Sequence, residues 1–246
     1  MLVLPFLFVT YFCSLATGLQ AGDYFKLCKR NDPELGNCIK DSLNQMKPLL
    51  RKGIPQLKIP SLDPMVIPRV NVKQGSGPVS MDSTFTNLKI NGITDFTIKN
   101  IRPDLDNNQI DFEATLPYMY NVGDYKIEGK ILVLPISGNG DSWSNYTDVN
   151  IKATLKGEPE AKGGKTFFKI KEFKFDLNVG RAIIHLNNLF NGNKELGDAM
   201  NNFMIENWEV VYKELKPVVN EAVSAILLDV AQKVFNRFPM DELFLQ

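Results

Sequence analysis

The sequence has no excess of charge of either sign. Its 246 residues include 28 Lys and Arg and 28 Asp and Glu, so the formal net charge at pH 7 is zero. A nucleic-acid-binding protein normally carries a basic surplus or a basic stripe, and a protein that binds acidic lipids carries a cluster of Lys and Arg. Neither pattern occurs along this chain. We therefore expect no nucleic-acid partner.

Residues that commonly carry out catalysis are also scarce. His185 is the single histidine, and the alternation in "RAIIHLNN" puts it at the end of a strand with no serine or cysteine motif beside it. The sequence contains no G-x-S-x-G, H-E-x-x-H or phosphate-binding glycine loop. Glu206, Glu209 and Glu214 fit the solvated side of a helix better than a catalytic carboxylate pair. We predict no enzyme activity, no cofactor and no metal site.

Charge is missing altogether from the N-terminal region. No charged side chain occurs from Met1 to Ala21, and the apolar run from Leu2 to Ala16 ends in the small residues "SLATG". This pattern is typical of a secretory signal peptide. The alternative is a membrane anchor, although about 15 apolar residues are short for a span. We predict cleavage between about residues 16 and 21, which leaves 22–246 as one secreted, extracellular domain.

Only three cysteines are present, and Cys13 lies in the predicted signal peptide. The other two, Cys28 and Cys38, flank "KRNDPELGN", whose residues favour a chain reversal. An oxidising compartment would then close a disulfide between them. A metal site is the poorer interpretation of this pair, because no histidine lies nearby.

One glycosylation sequon occurs, at Asn145 in "NYT". It lies in the Gly-, Ser- and Asn-rich stretch "SGNGDSWSNYT", which is typical of an exposed segment. Together with the signal peptide, this context predicts a glycan at Asn145.

Residues 64 to 186 alternate between apolar and polar side chains, which predicts a series of β-strands. In "NQIDFEATLPYMYNV" the alternation puts every second residue from Ile110 to Val122 on one face. We expect a turn at "VGD", directly after this run, and a further strand pair joined by Gly163 and Gly164 in "AKGGK". Successive strands of this kind form antiparallel hairpins.

Two strands change their apolar face part-way. Phe85 and Leu88 have opposite parity, and Ile170 and Phe173 differ in the same way. A change of this kind inside a strand indicates a β-bulge, which bends the strand and increases its twist. We therefore predict a sheet that curls around another element.

A long helix after "LFNGN" is the element that such a sheet would enclose. Asn193 is a suitable N-cap, Glu195 lies in the first turn, and helical spacing continues to Phe238, where Pro239 ends it. Pro217 lies inside this segment and predicts a kink, because proline cannot donate the helical hydrogen bond.

The apolar face of the predicted helix changes along its length. One stripe runs from Leu196 to Ile226, and beyond residue 227 the apolar positions move to Val230 and Val234. We expect the sheet to cover the first part and a different element to contact the second. Polar residues such as Asp229 interrupt the most apolar part, which argues against stable insertion in a membrane.

Several long segments resemble one known family. "YFKLCKRNDPELGNCI", "GIPQLKIPSLDP", "GDYKIEGKILVLPISGNG" and "HLNNLFNGNKELGDAMNNFMIENWEVVYKELKP" are similar to segments of the insect takeout family, which is related to the haemolymph juvenile hormone binding proteins. The resemblance covers essentially the whole chain after the signal peptide. Hormone-binding relatives generally have a second disulfide, for which this chain has no cysteines, so the resemblance is to takeout members in particular.

The resemblance implies an α+β fold of the tubular lipid-binding (TULIP-like) type. In it, a long C-terminal α-helix is wrapped by a highly curved antiparallel β-sheet that encloses an apolar tunnel. The implied function is a secreted carrier that binds and shields a small lipophilic ligand, such as a terpenoid hormone or a fatty acid. The alternative is an extracellular protein-interaction or signalling module whose tunnel is only a structural core.

Apolar and aromatic residues on the helix stripe and on the strand faces are the candidates for the tunnel lining. Aromatic residues at such spacings are often ordinary core, so each position is open between ligand contact and core packing. Trp208 and Tyr118 are the strongest aromatic candidates, because their polar tips suit a ligand head group. The candidates are Phe85, Phe96, Phe112, Tyr118, Phe173, Phe175, Phe203, Met204, Trp208, Val211, Leu215, Val219 and Ala222.

Overall fold

The computed structural model of the protein describes residues 19–74 and 77–246. Nearly all of the predicted signal peptide lies outside the described residues, so it stays a prediction. The helices are α1 (Leu35–Lys52), α2 (Lys194–Glu206), α3 (Trp208–Phe235) and α4 (Met240–Leu243). The strands are β1 (Cys28–Lys29), β2 (Met65–Gln74), β3 (Val79–Asn91), β4 (Thr97–Asp104), β5 (Gln109–Ile131), β6 (Leu134–Lys162), β7 (Lys165–Asn178), β8 (Arg181–Leu186) and β9 (Phe244–Leu245).

A large antiparallel sheet is built around two very long strands. β5 has 23 residues and β6 has 29. Each is long enough to pair with two successive neighbours on its outer side: β5 with β4 and then β3, and β6 with β8 and then β7. β2 extends the sheet beyond β3. Together with the helices, this sheet confirms the predicted α+β class.

Both predicted β-bulges are confirmed. The pairing of β3 with β5 shifts between Thr86 and Lys89, where Asn87 has a φ of 52°. The pairing of β6 with β7 shifts between Lys156 and Gly157, opposite the predicted change of face in β7. Because a bulge bends a strand and adds twist, these shifts curve the sheet at the two places that the sequence pattern indicated.

The predicted turn at "VGD" is wrong, because β5 runs through it without interruption. Gly123 is needed there for a different reason: a Cβ on it would lie 3.0 Å from the Leu88 Cα, in the bulged part of β3. The chain reverses instead between Ile131 and Leu134, which are paired. The hairpin predicted at "AKGGK" is confirmed by the pairing of residues 162 and 165.

The C-terminal helical region is divided into α2 and α3, whereas the sequence predicted one long helix with a kink at Pro217. Asn193 caps α2 as predicted, since its Oδ1 accepts a hydrogen bond from the Leu196 amide at 3.1 Å. The break between α2 and α3 falls at Asn207, whose Nδ2 donates to the Phe203 carbonyl at 2.8 Å. An asparagine side chain that competes for backbone groups in this way disfavours a continuous helix. α3 continues through Pro217, and the kink predicted at this residue stays a prediction.

The apolar core forms two main clusters at opposite ends of α3. The α2-end cluster joins α2, the β5–β6 hairpin and the start of α3, and contains Val79, Met81, Tyr125, Ile127, Ile131, Ile136, Leu186, Leu189, Met200, Met204 and Val211. The α1-end cluster joins α1 and the segments around it, and contains Ala21, Met46, Leu50, Ile54, Leu57, Ile59, Leu62, Met65, Ile90 and Phe238. Val230 and Val234 pack against the α1-end cluster, which confirms the predicted change of surroundings along the helix.

The predicted disulfide is present and joins β1 to α1. The sulfur atoms of Cys28 and Cys38 are 2.06 Å apart. β1 also pairs in parallel with the C-terminal strand β9, through Cys28 and Phe244. The beginning and the end of the described chain are therefore held together beside α1.

Candidate binding site between the sheet and the helix

The middle of α3 lies between the two apolar clusters. Leu215 packs against the α2-end cluster, and Ile226 packs against the α1-end cluster. Val218, Val219 and Ala222 lie between them at helical spacing, so they share the same side of α3. All three are half-buried and belong to none of the clusters formed by the described residues. This central stretch of α3 therefore presents partly accessible apolar surface between the two clusters.

The inward face of β5 changes at Pro117. Ala114 and Leu116 are buried, whereas further along the strand Met119 packs against the α1-end cluster and Tyr125 lies in the α2-end cluster. The inward positions therefore have even numbers before Pro117 and odd numbers after it. Opposite this point in β6, Asp148 has a φ of 54°, which marks a local irregularity in the pairing.

This change of face corrects the prediction for Tyr118. The sequence pattern put Tyr118 on the same face as Leu116, but its side chain is 45% exposed. Its hydroxyl donates to the Oδ1 of Asn145 at 2.9 Å, on the outer surface of the sheet. Tyr118 therefore does not line the region between sheet and helix.

Met204 and Val211 also differ from the prediction. They are 5% and 4% exposed, respectively, and both are part of the packed α2-end cluster. Because both side chains are packed among the apolar side chains of this cluster, we assign both residues to the structural core. Phe85, Phe203 and Leu215 pack around this cluster and keep partly accessible surface.

The remaining candidates are all partly buried. Phe96 packs against the α1-end cluster, and the Lys47 Nζ lies 4.6 Å from the centre of its ring. The rings of Phe173 and Phe175 on β7 are stacked, with centroids 6.4 Å apart. The other four are half-buried: Phe112, Trp208, Val219 and Ala222.

Polar side chains of the helices bind the free edges of β7 and β8. The Tyr212 hydroxyl donates to the Leu177 carbonyl at 2.5 Å, and the Asn220 Oδ1 accepts from the Leu177 amide at 3.1 Å. Asn201 makes the same pair of bonds with the amide and carbonyl of Leu186, both at 3.0 Å. The predictions missed these residues, because their partners are set by the fold and not by local spacing.

His185 lies away from the interior. Its ring stacks on Trp143, with centroids 5.2 Å apart, and its Nε2 is 3.1 Å from the Oδ1 of Asn187. Within residues 19–74 and 77–246, no group of three His, Cys, Asp or Glu side chains is placed to hold a metal ion. No helix in the same residues is long and apolar enough to cross a membrane.

A separate surface cleft of about 690 Å³ lies between the start of α1 and β4. Its lining includes both basic and acidic side chains, among them Arg30, Lys99, Glu34 and Asp104. A lipophilic ligand gains nothing from desolvating such charges, whereas the apolar middle of α3 suits it. The interior between sheet and helix is therefore the candidate binding site.

Comparisons with known proteins cover nearly the whole chain. Residues 6–245 match the family described as haemolymph juvenile hormone binding protein. The chain is 25% identical over 236 residues to the circadian clock-controlled protein daywake of Drosophila melanogaster, covering 89% of this chain and 86% of that protein. It is 24% identical over 217 residues to a putative beta-carotene-binding protein of Schistocerca gregaria, covering 87% of this chain and 85% of that protein.

A solved structure has the same fold. The crystal structure of Epiphyas postvittana Takeout 1 matches with a TM-score of 0.80 and 25% sequence identity, covering 90% of this chain and 100% of that chain. This similarity confirms the tubular arrangement of a curved antiparallel sheet around a long helix.

Proposed function

Because the chain belongs to the haemolymph juvenile hormone binding protein family, which includes the insect takeout proteins, we propose that it is a secreted carrier of a small lipophilic ligand. The ligand would lie between α3 and the curved sheet. The name of the similar Schistocerca gregaria protein, a putative beta-carotene-binding protein, supports a lipophilic ligand class.

The main support for this proposal is the partly accessible apolar stretch of α3 between the two clusters. Val218, Val219 and Ala222 lie between two packed clusters and remain half-buried. An apolar ligand that moves from water to this surface gains about 25 cal/mol for each Å² of apolar area buried. The proposed mechanism is binding and shielding, in which no covalent bond is made or broken.

Two features support secretion. The apolar N-terminal segment is typical of a signal peptide, and the Cys28–Cys38 disulfide suits an oxidising compartment. The predicted glycan fits the same location: Asn145 lies on the outer face of β6, beside the exposed Tyr118. We propose that residues 22–246 form the secreted domain.

A tryptophan at Ala222 tests the site. We expect Ala222→Trp to fold with a melting temperature close to that of the wild type, because the ring would occupy the binding region and not a filled core. Binding of the neutral probe N-phenyl-1-naphthylamine, followed by fluorescence after delipidation, should weaken roughly tenfold or more, which corresponds to a loss of about 1.4 kcal/mol. Delipidation is needed because bound ligand itself raises the apparent stability.

The matched control is Ala225→Trp, the same substitution at an exposed position of the same helix. It should leave probe binding unchanged. If Ala222→Trp instead lost about 1 to 3 kcal/mol of unfolding free energy, the usual cost of overpacking a core, the interior would be structural and the interaction-module alternative would be favoured. A stable Ala222→Trp protein that bound the probe normally would show that the ligand does not contact this face of α3.

A further inference from the structure

One row of inward-facing residues crosses the sheet at the level of the candidate site. Ile90 of β3 pairs with Asn121 of β5, Asn121 pairs with Ser144 of β6, and Ser144 pairs with Ile184 of β8. Paired residues in antiparallel strands point to the same face of the sheet. The row is therefore apolar at its two ends and polar at its centre.

Asn121 differs from the other inward polar residues in its hydrogen bonding. Its Oδ1 is buried and has no hydrogen-bond partner among the described residues. By contrast, the Ser142 hydroxyl donates to the Gly123 carbonyl at 3.0 Å, and both polar atoms of the Asn201 side chain are bonded to Leu186. Buried polar atoms without a partner are rare, and each calls for a physical explanation.

The position of Asn121 along the interior supplies that explanation. On the same face of β5, Met119 packs against the α1-end cluster and Tyr125 belongs to the α2-end cluster. Asn121 lies between these two residues on β5. In the same way, Val218 and Ala222 lie between the two parts of α3 that contact these clusters. Its amide oxygen is therefore placed near the middle of the proposed binding region.

We propose that the Asn121 carboxamide is the polar anchor of the ligand and selects a neutral lipophile with a hydroxyl group between two apolar parts. This inference rests on the proposed carrier function. The Oδ1 accepts a hydrogen bond, so the ligand must supply an O–H donor. The row that holds Asn121 contains no charged side chain in the described residues, and an ionised carboxylate buried there would lack a counter-charge. A long-chain or terpenoid alcohol has the required chemistry.

Three ligands that differ only in one group test the anchor. Pentadecan-8-ol has a mid-chain hydroxyl, 8-methoxypentadecane can accept but not donate a hydrogen bond, and pentadecane has no polar group. Their affinities are measured by displacement of N-phenyl-1-naphthylamine from the delipidated protein. We expect the wild type to bind the alcohol roughly fivefold more tightly than the ether, the factor that one net hydrogen bond supplies.

In Asn121→Leu this preference for the alcohol over the ether should disappear, while binding of pentadecane is kept. Asn150→Leu, at an exposed position of β6, is the matched control and should keep the wild-type preference. Asn121→Val gives the same test with a smaller side chain if the leucine variant does not fold.

The possible results distinguish a failure of the proposed Asn121 anchor from a failure of the proposed carrier function. A variant that keeps the alcohol preference, or a wild type that lacks it, overturns the role of Asn121 and leaves the carrier function standing. A wild type that binds neither the probe nor any of the three ligands contradicts the carrier function itself, and with it the anchor.

Discussion

At the scale of single residues, two tyrosine hydroxyls join the ends of strands to other parts of the fold. The Tyr125 hydroxyl donates to the Asn187 carbonyl at 2.6 Å, and the Tyr212 hydroxyl donates to the Leu177 carbonyl. Burial raises the pKa of each hydroxyl to about 12, and the nearby carboxylates of Asp141 and Asp176 act in the same direction. Both hydroxyls are therefore held in the neutral, donating form.

These pKa values predict a loss of stability in strong alkali. Unfolded tyrosines release their protons near pH 10, before the folded ones, so the contribution of Tyr125 and Tyr212 is complete below pH 10 and is lost between pH 10 and about 12. The variant Tyr212→Phe should lose about 1 kcal/mol at pH 8, with its hydrogen bond. It should also show a smaller further decrease between pH 8 and pH 11 in urea unfolding. An equal decrease in both proteins would contradict the assigned pKa.

At the scale of elements, Asn201 attaches α2 to the edge of β8. Its carboxamide accepts from the Leu186 amide and donates to the Leu186 carbonyl, so it takes the place of a neighbouring strand. Asn201 is 5% exposed, and Leu186 belongs to the α2-end cluster. Water cannot readily replace these two bonds.

Asn201→Leu should therefore be strongly destabilising. Each buried backbone group that loses its partner costs roughly 1 to 3 kcal/mol, so we expect a loss of about 2 to 6 kcal/mol in the free energy of unfolding, measured in urea. Asn202→Leu changes the neighbouring, exposed residue and should stay within about 0.5 kcal/mol of the wild type. Similar stabilities for the two variants would mean that the Asn201 bonds contribute little.

At the scale of the whole molecule, the two ends of the described chain close one end of the structure. β1 and β9 pair in parallel, the Ala21 amide donates to the Oε1 of Glu242 at 2.7 Å, and the disulfide joins Cys28 to Cys38 of α1. Phe238, which follows α3, is fully buried in the α1-end cluster. The covalent link therefore holds β1 against α1, in a smaller cluster formed with Leu35, Leu105 and Phe244.

Removal of the disulfide should lower the stability of this assembly without abolishing the fold. For a loop closed across 10 positions, the chain-entropy estimate gives a stabilisation of about 3 kcal/mol. We expect the Cys28→Ser/Cys38→Ser double variant to lose about that amount in urea unfolding. Alkylation of the unreduced protein, expressed through an oxidising secretory route, should detect no free thiol in the wild type. Two reactive thiols, or a double variant as stable as the wild type, would show that the disulfide is absent or unimportant.

Features set by neighbouring residues could be predicted from the sequence alone. The N-cap at Asn193, the glycine hairpin after residue 162 and the two β-bulges all follow from the chemistry of a few adjacent positions. The disulfide belongs to this group as well, because its two cysteines are close along the chain. The overall arrangement of sheet and helix was predicted from the family resemblance, because local sequence patterns do not specify it.

Only the tertiary structure decided which surfaces of these elements meet. Alternation continues unbroken through Tyr118 in the sequence. In the structure the inward face of β5 changes at Pro117, opposite the irregular backbone at Asp148, so that Tyr118 points outward and Asn121 inward. Helical spacing likewise cannot tell Val211, which is in packed core, from Ala222, which is not in any cluster. That difference depends on which side chains lie across the interior, and for Val211 these belong to other elements, among them β3, β5, β6 and β8.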